Sequence, residues 1–234
     1  MSVDIRRAAT RFHTKLDWLD SWHSFSFADH HDPNNTHHGL LLVSNDDVVD
    51  GGRGFGMHHH RDMEIVTWVI SGQVEHRDSQ GNHAIIYPGL AQRMSAGSGI
   101  MHSEMNPSAV EPVRLVQMWV LPDTRGGTPG YQDADITDDL NRGALVKVAS
   151  GLSDAAPISI RQKGAELWAG RLASGATADV PRAGHVHLFV ASGTVHLAGT
   201  ALTEGDAARL TDEGPHTIAV SGDAGAEVLI WATT

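Results

Sequence analysis

The amino-acid sequence predicts an all-β chain built as two successive β domains, and three observations carry that reading. Its apolar runs are mostly short and are punctuated by 25 Gly and 9 Pro, which favours short strands and turns over long helices. A stretch with little apolar content, PDTRGGTPGYQDADITDD (122–139), divides the chain near its middle. Two short segments recur across that divide. VISGQVEH (69–76) matches VASGTVHL (190–197), and PGLAQRM (88–94) matches EGDAARL (204–210), at similar offsets of 121 and 116 residues. A duplicated β domain accounts for both matches.

The elements follow in order. Residues 40–48 (LLLVSNDDV) open with an apolar run and break at a polar turn. EIVTWVI (64–70), rich in β-branched and aromatic residues, is the strongest strand. Ser71-Gly72 turns it into VEHRD, which reads as a hairpin. Ser79, Gly81 and Asn82 supply the next turn, AIIY (84–87) runs into Pro88-Gly89, and LVQMWVL (115–121) completes the first domain. DDLNR (138–142) suits one helical turn. Strands resume at LVKVA (145–149), HLFVA (187–191), HTIAV (216–220) and EVLIW (227–231). The expected division is a first β domain over 1–122, a linker over 123–144, and a second β domain over 145–234.

Composition narrows the function. With 234 residues, 41% hydrophobic and 19% charged, each half can bury a core. Lys plus Arg number 17 against 28 Asp plus Glu, a net charge of −11, and no basic cluster stands out. That argues against nucleic acid and against an anionic membrane surface. The opening MSVDIRRAATRFHTKLDWLDSW has no apolar core of signal-peptide type, and no run approaches a membrane span, so the expected address is the cytoplasm. There is no Cys, so any metal must take nitrogen and oxygen ligands. Of 16 His, 12 lie in the first 102 residues, which suggests that the halves do different work.

The chemistry concentrates in two segments. In GMHHHRDME (56–64), strand parity puts His58 and His60 on one side and His59 on the other. IMHSE (100–104) repeats the arrangement, with His102 and Glu104 sharing a face. Brought together inside a barrel, the two pairs supply three neutral imidazoles and one carboxylate. That set suits iron(II), manganese, nickel, copper, cobalt or zinc. In a six-coordinate ion, four protein ligands leave two positions free, which a closed structural zinc site does not. Glu64 shares the parity of His58 and His60, so the set His58, His60, His102 and Glu64 stays open as a rival. A turn between 60 and 64 would remove it.

HHHRDMEIVTWVISGQVEHRDSQGN, PGLAQRMSAGSGIMHSE and WLDSWHSFSF (18–27) together resemble the pirin family of the cupin superfamily, in its bacterial quercetin 2,3-dioxygenase-like branch. The resemblance covers residues 16–122 well and the remainder loosely. It implies a bicupin, two stacked jelly-roll-like cupin β-barrels, with one iron in the first barrel held by His58, His60, His102 and Glu104. It also implies dioxygenase activity on flavonols such as quercetin, yielding a depside and carbon monoxide, with Glu104 as catalytic base. Other members of the family act as metal-binding regulators of a partner enzyme or transcription factor, which is the alternative function. A monomer acting on a flavonol-like molecule and dioxygen, with a protein partner as a further option, is the expected assembly. One departure from the general cupin pattern is Gln92, where a His usually follows the Pro-Gly turn; His102 takes over that role.

The second half carries a second HxH, His185 and His187. Aligning Gly193 on Gly72 puts Asp179 and Pro181 opposite His58 and His60. On the Gly205 and Gly89 match, Ile218 and Val220 stand opposite His102 and Glu104, so no equivalent ligand set is expected there. Elsewhere, His30, His31, His37 and His38 are expected to be solvated, and His23, within reach of the pocket mouth, to make a structural hydrogen bond. Trp18, Trp22, Phe25 and Phe27 are expected in the core, and Met57 and Met94 are candidates for pocket lining or gap filling.

Overall fold

The computed structural model describes residues 2–152 and 156–234. Strand makes up 58% of the chain and helix 3%, and the strands form the two stacked barrels of a bicupin. In the first barrel a seven-stranded antiparallel sheet faces a four-stranded one. The seven run in the order Gly130–Asp135, Leu90–Ser95, Glu64–Ser71, Val113–Val120, Leu41–Val49, Leu19–His23 and Phe12–Lys15. The four are Gly54–His60, Ile100–Met105, Val74–Asp78 and His83–Ile86. The second barrel is a nine-stranded sheet centred on two long strands, His185–Leu197 and Thr217–Thr233.

Side-chain alternation explains how the barrels stack. Glu64–Ser71 and Val113–Val120 are buried on both faces, hence their near-continuous apolar runs. Their even-numbered residues, Val66, Trp68, Val116 and Met118, pack with Val148, Leu167, Phe189, Leu229 and Trp231 of the second barrel in one shared core. Two directional contacts pin that interface. The Trp68 indole donates to Glu227 Oε1 at 2.7 Å, and the Trp231 indole lies 3.1 Å from the Met118 sulfur. The odd-numbered residues turn into the first barrel, where Thr67, Gln117 and Asn45 come side by side across three adjacent strands. The first barrel is therefore polar at mid-height, whereas the second is filled by Val186, Leu188, Val190, Ile218 and Val220.

The duplication is visible in the backbone. Gly72 and Gly193 both adopt left-handed φ, +77° and +78°, at the corner where each chain leaves one wall for the next. A Cβ would fall 2.8 Å from the Pro112 carbonyl oxygen at the first and 2.1 Å from that of Gly225 at the second. Only glycine fits either corner without displacement.

Three expectations need correction. The polar turn expected after LLLV is absent: Leu41–Val49 is one continuous strand. Its Asn45, Asp46 and Asp47 are all buried, with Asp46 accepting from Arg11 and Arg114 and Asp47 accepting from Ser21. HTIAV and EVLIW are likewise one strand, with Gly222–Gly225 bulged opposite Gly193. The expected linker is also structured. Gly130–Asp135 adds an edge strand to the first barrel, and Ile136 and Leu140 sink into the shared core, the latter from the short helix Thr137–Leu140. In the opposite direction, Ser2–Arg6 crosses over to pair with Ala207–Thr211 of the second barrel.

Candidate metal centre

His58 and His102 are direct cross-strand partners in the four-stranded sheet, and Ile100 pairs with His60. The pairing slips by one residue between His102 and Glu104, so an extra residue of Gly54–His60 is accommodated near Gly56 and Met57. At that irregularity the His58 Nδ1–H donates to the Gly56 carbonyl at 2.7 Å, which leaves His58 Nε2 free to face its neighbours. Ring centroids lie 4.4 Å apart for His58 and His102, 4.9 Å for His58 and His60, and 5.0 Å for His60 and His102. One ligand atom from each of the three falls within 4.8 Å of the others. His59, on the opposite face, is exposed.

Three imidazole nitrogens of the cluster meet no protein partner. His60 Nε2 and both ring nitrogens of His102 are buried without a hydrogen bond. Such orphaned groups are costly in a folded chain, and a divalent cation would satisfy them. Burial, with the neighbouring imidazoles adding to it, pushes His60 down to about 4 and His102 down to about 3. Both are therefore neutral at pH 7, the form that ligates metal.

Glu104 is buried on the same strand, and its carboxylate accepts from Thr67 Oγ1 at 3.0 Å and from the Gln117 amide. Each oxygen keeps a lone pair for a further partner. Gln117 is oriented in turn by the Trp119 indole, which donates to its Oε1 at 3.0 Å, and the Trp119 ring stands edge-on to His60. His76, unassigned by the sequence reading, forms a second close group with His102 and Glu104, again within 4.8 Å. It is fully buried between Asp78, Gln92 and the Tyr131 ring. Its signal was available: Val74, His76 and Asp78 share the inward parity of one strand. Gln92 sits against His76, and so beneath the cluster rather than in it.

Glu64 lies elsewhere. Asp62 takes a left-handed φ of +49°, which moves the chain from the four-stranded to the seven-stranded sheet between His60 and Glu64. Glu64 then shares the even face of Val66 and Trp68, toward the second barrel. Its carboxylate accepts from Ser95 Oγ at 2.8 Å and from the Arg161 backbone N–H at 3.1 Å. His185 and His187 similarly face the first barrel, His187 against Phe25 and His185 against His38, while Val186 and Leu188 point inward.

A cavity of about 290 Å³ opens beside the cluster. That is at the small end of the ~300–1,000 Å³ usual for small-molecule sites. His58, His60, Glu104 and Gln117 form its reactive wall, while Leu19, Phe27, Phe55 and Trp119 supply apolar surface. Phe27 thus lines the cavity instead of joining Phe25 in the core. Met57 is exposed and Met94 packs in a separate apolar cluster with Ile65 and Ile100. Asp47 also faces the cavity, and burial raises its carboxyl to about 7. His38, expected in solvent, lies 3.1 Å from the Leu210 carbonyl.

A family model described as Pirin matches residues 4–120, half of the chain. The chain belongs to the pirin family. A second model, a quercetinase C-terminal cupin domain, matches residues 147–231. Rv0181c of Mycobacterium tuberculosis is 54% identical over 98% of this chain and 94% of its own length. A protein of Escherichia coli named quercetin 2,3-dioxygenase is 37% identical, covering 98% of this chain and 97% of its own. Among solved structures, YhhW from Escherichia coli superposes with a TM-score of 0.90 at 36% identity, over 100% of this chain and 98% of that one. The structure of bacterial pirin YhhW in complex with nickel(II) gives 0.88 at 36% identity, covering 98% of both chains. In this pirin-family chain the buried His and Glu groups suit one divalent metal. Among the described residues no helix is long and apolar enough to cross a membrane.

The depressed imidazoles make a pH prediction for the metal-free protein. Their folded pKa values lie below the ordinary 6.5, so their contribution to stability is present above pH 6.5 and is lost as pH falls toward 4. The melting temperature should therefore decline across that window, and less steeply in His60→Gln. Thermal melts between pH 7 and 4 check this; parallel curves for the two proteins would contradict it.

Proposed function

We propose that this chain is a metal-dependent dioxygenase that opens flavonols such as quercetin at the 2,3 position, with His58, His60, His102 and Glu104 as ligands and iron(II) as the resident ion. The observation that carries the reading is the set of buried, unpartnered imidazole nitrogens beside a largely apolar cavity. A purely regulatory protein needs only a partner surface, so a ligand-sized cavity beside the cluster favours catalysis. The likeness to the Escherichia coli quercetin 2,3-dioxygenase supports the same substrate class.

The bound ion supplies Lewis acidity, which makes a flavonol 3-hydroxyl easier to deprotonate. The chain's residues do the rest. Glu104, held by Thr67 and Gln117, accepts the hydroxyl proton on a carboxylate oxygen. Phe27, Phe55 and Trp119 hold the planar rings and exclude water. The test is anaerobic purification, metal analysis, and oxygen uptake with a panel of flavonols after loading iron, manganese, nickel or zinc. Turnover with at least one metal is expected, and its absence with all would overturn the proposal. Glu104→Gln should keep its histidine-held metal and lose about 100-fold or more of turnover, the usual share of a general base. Unchanged turnover in that variant would remove Glu104 from the role.

A further inference from the structure

The wall of the cavity opposite the histidine cluster carries a run of side chains that the chemistry above does not use. Asp47, buried and lining the cavity, accepts a hydrogen bond from Ser21 Oγ. Ser21 Oγ lies 3.5 Å from His23 Nδ1. His23 Nε2 is 2.9 Å from Thr14 Oγ1, which is 3.1 Å from His30 Nε2. His23 is 2% exposed, whereas His30 is half-buried at the surface. Every member is a carboxyl, hydroxyl or imidazole, and each of these can both give and take a proton. One assignment of hydrogens satisfies all four contacts. At rest His30 donates to Thr14, Thr14 to His23 Nε2, His23 Nδ1–H to Ser21, and Ser21 to Asp47. Once Asp47 is protonated the same contacts run outward, Asp47 donating to Ser21, Ser21 to His23 Nδ1, His23 Nε2–H to Thr14, and Thr14 to His30 Nε2. The Ser21–His23 contact is the longest, so a small shift of the His23 ring makes or breaks the chain.

We propose that Asp47, Ser21, His23, Thr14 and His30 form a proton path between the substrate cavity and solvent. The proposal rests on the functional reading above, which creates the need for it. A neutral flavonol and dioxygen become a depside carboxylate, carbon monoxide and one proton. The proton leaves the flavonol 3-hydroxyl, the two ring bonds to C3 break and C3 departs with its own oxygen as carbon monoxide. Both atoms of dioxygen enter the depside, and no external electron donor is required. The cavity is walled on one side by Leu19, Phe27, Phe55 and Trp119, and the polar run Asp47, Ser21, His23 and Thr14 along its other side offers that proton a route toward His30. Charges face the path from all sides. Asp47 feels Asp46 and Glu104, and His23 feels His13, His30 and Arg11, with the Asn45 amide beside it.

Thr14→Val keeps the shape of the middle link and removes its hydroxyl, and His23→Gln removes the imidazole. Two measurements on the metal-loaded protein test the path. In the zinc-loaded form, titrating His30 should shift the His23 ring-nitrogen resonances, and Thr14→Val should shrink that shift to the direct effect of two rings 5.5 Å apart. A wild-type His23 indifferent to His30 would overturn the path even in an active enzyme. With iron and quercetin, an indicator dye should report proton release slowed about tenfold or more in both variants, as expected when a proton-transfer group is lost. Added imidazole should restore it in His23→Gln. Wild-type release rates in both variants would also overturn the path. If the resonances are coupled but no flavonol is turned over, the path stands and the dioxygenase reading falls.

Discussion

Replacing His102 with alanine should empty the metal centre. Among the described residues His102 is the one residue common to both close groups, His58–His60–His102 and His76–His102–Glu104, so its loss breaks both. His58→Ala, in contrast, leaves the second group intact. The expected result is a fall from about one equivalent of metal to near none. Turnover should drop by more than the ~10–100-fold that follows loss of an outer partner of a ligand. Elemental analysis after anaerobic loading measures the first and oxygen uptake the second. His59→Ala, whose side chain is exposed on the opposite face, should load normally. Folding should not confuse the outcome: both His102 ring nitrogens are unpartnered, so the deleted imidazole takes no hydrogen bond with it. A His102→Ala protein carrying a full equivalent would end the assignment.

The second large effect concerns stability. Asp46 accepts two hydrogen bonds from Arg114, at 2.9 and 3.1 Å, and one from Arg11 at 3.2 Å. The Arg11 side chain is 9% exposed and that of Arg114 18%. Arg11 also lies over the Phe189 ring, and Arg114 reaches Glu204, so the network ties the two barrels together. Asp46→Ala leaves two largely buried guanidinium groups without their shared carboxylate, which costs about 3 kcal/mol. For a chain of this size that lowers the melting temperature by roughly 6–12 °C. Asp46→Asn, which keeps the shape and one acceptor oxygen but turns the other into a donor and removes the charge, should fall between. Metal content should be unaffected in either. A melt within 2 °C of wild type for Asp46→Ala would show that the network contributes little.

What could be read in advance was whatever obeys the two-residue period of a strand. His58 and His60, His102 and Glu104 share faces because extended backbone leaves them no choice. The rival Glu64 obeyed the same parity on paper, and only the left-handed Asp62 moves it to another sheet. Strands that carry buried charge were illegible for a different reason. Asn45-Asp46-Asp47 looks like a turn because its partners, Ser21, Arg11 and Arg114, are remote in sequence, and burial of such groups is tolerable only once they meet. The edge strand Gly130–Asp135 was hidden likewise, since its residues are mostly half-exposed and give little apolar alternation. His76 and Asp47 fell outside the motif that drew attention, although their inward positions follow from the same parity.

The exchange of Ser2–Arg6 into the second barrel has a consequence for how the molecule is assembled. Arg7, just beyond that strand, pairs with Asp206, 199 positions later. The ribosome therefore releases this strand long before its dock exists, and the edge of Ala207–Thr211 emerges late, next to a partner already tethered nearby. An unpaired edge invites joining to a second copy, and the waiting strand closes it from within the same chain. Such distant pairing also slows folding. The two lobes therefore mature together, the later one finished by residues made first.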